Sequence, residues 1–165
     1  MRNILAAILC IAGPGIAAAQ GFAIDDLRQL SVDTSAFPGS FTAEATSADR
    51  LTIACLDCEA FVAIDVRLGR QDDGTEGRVR SGETTIDDLA AICQARDATC
   101  QLEGVNVGQA IGWVTSFEGM RPASTTVLLR DGDLLMIRAI AADVATARRI
   151  GEITRSVLAP TIIGP

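Results

Sequence analysis

The chain contains no histidine and no tyrosine, and every basic residue is an arginine. Without an imidazole there is no Ser-His-Asp triad and no Cys-His pair. A c-type haem attachment needs a histidine directly after the second cysteine of Cys55-Leu56-Asp57-Cys58, and Glu59 stands there. His-containing zinc sites are excluded as well. The lack of lysine removes Schiff-base chemistry. Aromatic residues make up 4% of the chain, five phenylalanines and Trp113, too few for sugar-stacking platforms. The formal net charge of −7 opposes nucleic acid and anionic lipid headgroups. Carboxylates, thiols, hydroxyls and guanidinium groups are left to carry any function.

The first residues have the pattern of a secretory signal peptide. Arg2 provides the positive start, Ile4 to Ile11 is apolar, Pro14 and Gly15 interrupt the run, and Ala17-Ala18-Ala19 supplies small residues for cleavage before Gln20. The run is shorter than the ~20 residues a membrane span needs. Cys10 is preceded by Leu9, not by the small residue that lipidation favours. The expectation is a signal peptide over 1–19 and one domain over 20–165, periplasmic or secreted. Losing Arg2 makes the mature chain one unit more acidic.

Removing Cys10 with the signal leaves Cys55, Cys58, Cys93 and Cys100, an even number in an oxidising compartment, where disulfides are the default. Four cysteines permit three connectivities. The local pairs, Cys55 with Cys58 and Cys93 with Cys100, are favoured, and the second would clip a helix end to the following strand. The alternatives are a redox role for Cys55 and Cys58, or a four-thiolate metal site. Asp57 and Glu59 disfavour the redox role, because neighbouring negative charge raises a thiol pKa.

Patterning predicts the architecture. Ile24, Leu27 and Leu30 suggest a short amphipathic helix over Phe22–Leu30, and Phe41–Ala48 a first, weak strand. A strand runs through Leu51, Ile53 and Cys55, and a second alternates strictly from Ala60 to Gly69. Gln71–Gly82, polar and glycine-rich, reads as an exposed, mobile loop. Thr84 or Thr85 caps a helix with Ile86, Leu89, Ala90 and Cys93 on one face. Ile111, Trp113, Thr115 and Phe117 share one strand face, with Trp113 expected in the core.

Asp131-Gly132 between two β-rich runs marks a type I′ hairpin pairing Arg130 with Asp133, Leu128 with Leu135 and Thr126 with Ile137. Both faces of this hairpin are apolar, which predicts a central position covered on both sides. Asp143 caps a last helix with a stripe of Val144, Ala147, Ile150, Ile153 and Val157, stopped by Pro160, with Arg148, Arg149 and Arg155 on its solvated face. The fold class is α+β: a mostly antiparallel sheet with a long Asp-Gly hairpin, packed against a middle and a C-terminal helix. From Leu51 to Leu158 this element order resembles that of the PsbP-like domains. The resemblance implies an exported accessory or assembly factor.

Acid pairs occur at Asp72-Asp73, Asp87-Asp88 and Asp131/Asp133. They read as a solvated loop, a helix N-terminus favoured by the dipole, and a turn. Gln71–Glu76 lacks the spacing of a calcium loop. The reading by elimination is a non-enzymatic accessory, adaptor or binding protein, with no cofactor and no metal. Its expected partner is a protein of the periplasm or cell envelope, not nucleic acid, and it does not span a membrane. Thiol–disulfide exchange through Cys55 and Cys58 is the alternative, and a carboxylate-based hydrolase or lyase ranks third. N-terminal sequencing of the protein from its native host should start at Gln20; a stable full-length chain in the cytosol would refute the export reading.

Overall fold

The computed structural model describes residues 21–165, so the expected signal peptide, with its Ile4–Ile11 run and Cys10, lies outside the described residues. The described residues form seven strands: β1 (Phe41–Ser47), β2 (Arg50–Cys55), β3 (Ala63–Arg70), β4 (Gln101–Val107), β5 (Ala110–Phe117), β6 (Ala123–Arg130) and β7 (Asp133–Ile140), with burial alternating strictly along β5. They form one antiparallel sheet in the order β1-β2-β3-β7-β6-β5-β4. Three helices accompany it: α1 (Thr75–Ser81), α2 (Ile86–Arg96) and α3 (Val144–Ile163). The α+β class holds, and β6 and β7 lie at the centre of the sheet, where the Asp-Gly hairpin was expected.

The hairpin register follows from its turn. Asp131 (φ 54°) and Gly132 (φ 82°) both take the left-handed backbone of a type I′ turn. Arg130 therefore opposes Asp133, Leu128 opposes Leu135 and Thr126 opposes Ile137. Leu128, Leu135, Ile137 and Ala139 point to one face, with Ile64, Val66, Leu51 and Ile53 beside them, all buried. Helix α3 covers β5, β6 and β7 on this face.

The buried stripe of α3 is rotated from the expected one. Ala147 and Ile150 belong to it, but Gly151, Thr154 and Leu158 complete it, while Val144, Ile153 and Val157 are half-buried. Gly151 faces Ser124 and Ala139, which a Cβ there would meet at ordinary contact distance, 3.4–3.6 Å. The Thr154 hydroxyl is satisfied within the helix by donating to the Ile150 carbonyl at 2.8 Å.

Three further expectations are corrected. Pro160 does not stop α3, which continues to Ile163. A proline in the final turn removes a single backbone donor, and Gly164 N–H still closes onto the Pro160 carbonyl at 3.0 Å. Phe22–Leu30 is not an amphipathic helix. It holds one 3₁₀ turn, Leu27–Gln29, and upstream of it the amides of Ala23 and Ile24 donate to the carbonyls of Ile163 and Ile162. Tertiary bonding to the end of α3 replaces the local helix. Arg130, 7% exposed, adds Nη1 bonds to the carbonyls of Ile163 and Pro165 at 3.0 and 2.9 Å. These donors satisfy carbonyls that a helix C-terminus leaves without intrahelical partners.

The third correction is Gln71–Gly82, which contains α1 in place of a loop. Gly74 and Gly82 bracket it, both in the left-handed region. Its anchor is non-local. The Glu76 carboxylate accepts from the amides of Asp131 and Gly132 at 3.0 and 2.9 Å, and from Arg80 Nε at 2.8 Å. Burial alone would raise the Glu76 pKa, but the Gly132 amide, Arg80 and the Asp131 amide together hold it below the ordinary value. A depressed carboxylate pKa adds stability above the unfolded-state value, ~4.3 for Glu, and that stability is lost as pH falls through the folded value. Glu76→Gln should therefore lower stability at pH 7 and reduce its acid dependence below about pH 5. Denaturant titrations across pH check this; an unchanged pH profile would refute the anchor.

Candidate functional site

The second face of the sheet carries alternate residues of the same strands. Across its centre, Trp113 of β5 stands opposite Val127 of β6, which stands opposite Met136 of β7. A neighbouring row is Phe117, Ala123 and Ile140, and the row between them is Thr115, Thr125 and Arg138. Among the described residues no helix covers the middle of this face. Val127, Leu134, Met136 and Ile140 are half-buried while Leu129 and Ala123 of the same face are fully buried, so the hairpin, expected to be covered on both sides, is covered only in part on this one. The helix expected above it, α2, packs on the edge strand β4.

Thr85 caps α2 in a reciprocal box, its hydroxyl accepting from the Asp88 amide while the Asp88 carboxylate accepts from the Thr85 amide. Ile86 seats over Gly104, where a Cβ would approach Ile86 Cγ1 to 3.1 Å. No residue of α2 is buried. Its last turn is tied to the start of β4 by the Cys93–Cys100 disulfide, with Cα atoms 5.8 Å apart.

Between α2 and the sheet runs a groove of about 380 Å³. Leu89, Ile92 and Cys93 form one wall, and Leu102, Trp113 and Phe117 the other. Arg96 and Asp97 stand at its margin, and Ile92 is 53% exposed. The volume falls within the ~300–1,000 Å³ of small-molecule sites, and the lining is largely apolar. Trp113, expected in the core, is half-buried in this wall because α2 is set to one side. The sequence reading passed over Arg138. Its signal was a charge at the centre of an otherwise apolar hairpin strand.

Cys55 and Cys58 form the second disulfide, with Cα atoms 5.7 Å apart, at the end of β2. Both pack against the core. The Asp57 carboxylate lies 3.6 Å from Cys55 Sγ. Bonds from the Ser40 hydroxyl and amide lower the Asp57 pKa and keep it anionic. Such a charge opposes a thiolate at Cys55. Cys55, Asp57 and Cys58 are close enough to share an ion, but with both sulfurs in the disulfide only the carboxylate remains as a strong ligand.

The acid pairs do not converge on a common site. Asp72 pairs with Arg70. Asp73, its pKa lowered to about 2 chiefly by the Thr75 amide and hydroxyl, turns the chain into α1. Asp88 belongs to the cap of α2, and Asp133 bonds Arg70 and the Phe22 amide. Asp131 approaches Arg130 at 3.6 Å. Among the described residues no helix is long and apolar enough to cross a membrane.

Comparison with protein-family models, curated proteins and solved structures returned no match.

The Cys93–Cys100 bond should matter most where α2 lacks buried anchors. Replacing both residues with serine should cost about 2 kcal/mol, less than for longer loops. Amide exchange should quicken throughout α2 while β6 and β7 keep their protection. Unchanged exchange in α2 would show that apolar contacts alone hold it.

Proposed function

We propose that this protein is a non-enzymatic binding or accessory protein, acting outside the cytoplasm, that receives an apolar group in the groove beside α2. The carrying observation is the apolar sheet face left partly open, walled on one side by a helix with no buried residue. A face of this kind is costly to leave in water unless it is used. The N-terminal pattern and the paired cysteines support the compartment, and the element order shared with PsbP-like domains supports an accessory role. A protein partner of the cell envelope remains part of this proposal, as source or recipient of what the groove holds. Thiol–disulfide exchange through Cys55 and Cys58 is the weaker reading, because Asp57 works against a reactive thiolate.

The test uses the neutral apolar dye Nile red. The folded protein should bind it saturably and enhance its emission. Ile92→Glu, at an exposed position on the groove wall, should leave the circular dichroism unchanged and weaken dye binding at least about tenfold, the ~1.4 kcal/mol expected from placing a charge against apolar surface. Equal binding by the variant, or no binding by the parent, would refute the groove as a binding site.

A further inference from the structure

We infer that the groove and the open sheet face together form a site for a long-chain carboxylate, with Arg138 holding the head group. The inference rests on the binding role proposed above and names its ligand class.

Three observations converge on Arg138. It is half-buried at the centre of the open face, directly opposite Asp65 of β3 and Thr125 of β6. Asp65 does not neutralise it, because the two carboxylate oxygens are engaged by Arg50 Nε at 2.8 Å and Arg67 Nε at 2.6 Å. Finally, Arg138 Nε is enclosed and has no hydrogen-bond partner among the described residues. That Nε is closed to an incoming ligand, but the terminal guanidinium nitrogens of Arg138 are not enclosed and have no hydrogen bond or ion pair among the described residues, and a carboxylate is the group that meets them with charge-assisted bonds.

The surroundings set the rest of the ligand. From Arg138 the polar row continues through the hydroxyls of Thr125 and Thr115 towards the groove. Apolar residues flank it on both sides, Val127 and Trp113 on one, Phe117 and Ile140 on the other, with Ala123 buried between the last two. Two strand spacings, about 10 Å, separate the Arg138 strand from the groove wall on β5. An extended hydrocarbon chain leaving a head group at Arg138 would cross β6 and enter beneath α2.

Charge favours an anion beside Arg138. The chain carries seven more acids than bases. At this patch Arg50 and Arg67 are taken up by Asp65 and the nearby Asp49, which leaves Arg138 as the cation that no carboxylate bonds. A protein surface docking over the whole face would meet the same patch, but the walled groove suits one narrow chain.

Trp113 is the chain's one tryptophan and tyrosine is absent, so intrinsic fluorescence reports on the groove directly. The folded protein is titrated with dodecanoate, dodecanol and dodecyltrimethylammonium, each below its micelle-forming concentration. Dodecanoate should shift Trp113 emission saturably and bind at least about tenfold tighter than dodecanol, with the cation weakest. Arg138→Gln should bring dodecanoate to the affinity of dodecanol, and Arg138→Lys should restore part of the difference. Equal affinities for the acid and the alcohol would overturn the carboxylate assignment while leaving the groove reading intact. No saturable response to any of the three, together with no Nile red binding, would overturn both. If Arg138→Gln fails to fold, the order of the three head groups on the parent protein decides the question.

Discussion

The packing of α3 against one face of the β6–β7 hairpin is the contact on which the other features depend. It buries Leu128, Leu135, Ile137 and Ala139 beneath Ala147, Ile150, Gly151 and Leu158. Burial of such side chains contributes ~1.5–3 kcal/mol each for the larger ones. Because side chains alternate along a strand, the same eight-residue strands must present Val127, Leu134 and Met136 to the opposite side. One long helix closes one face. The chain segment between β3 and β4 supplies α1, held at the β6–β7 turn, and α2, packed on β4, and these leave the middle of the face partly open.

Arginine does much of the remaining fastening. Arg130 binds the carbonyls at the end of α3, Arg80 steadies Glu76 against the hairpin turn, and Arg70 joins Asp72 and Asp133. Arg148, expected on the solvated face of α3, bonds Gln101 and Glu103 of the edge strand β4. Each guanidinium has several donors in a fixed fork, so one side chain ties two distant segments. Arg138 differs from these: its Nε is enclosed and unpaired like that of Arg130, but among the described residues no hydrogen bond or ion pair engages its terminal nitrogens either.

What the sequence made legible was local. The Asp131-Gly132 turn, the Thr85–Asp88 cap and the Asp143 cap depend on residues a few positions apart, and the structure has all three. What was missed depends on distant partners. Helix α1 needs the hairpin turn amides for Glu76, and the Phe22–Leu30 segment unwinds because its amides bond the end of α3. The two-sided apolar pattern of β6 and β7 was visible, but not which element covers each side. The groove was half legible: Ile111, Trp113, Thr115 and Phe117 were placed on one face, yet nothing local shows that α2 would leave Trp113 only half-buried. Arg138 gained its meaning only when the register set it beside an already occupied Asp65.

The central claim is that the second face of the hairpin is partly open to solvent in the folded chain. Side-chain footprinting by hydroxyl radicals tests it at residue resolution. Met136 and its neighbours Leu135 and Ile137 lie on one strand but point to opposite faces. The account predicts that Met136 is oxidised under native conditions, more slowly than the fully exposed Met120, while Leu135 and Ile137 stay protected until the protein unfolds. Protection of Met136 equal to that of Leu135 in the isolated protein would contradict it.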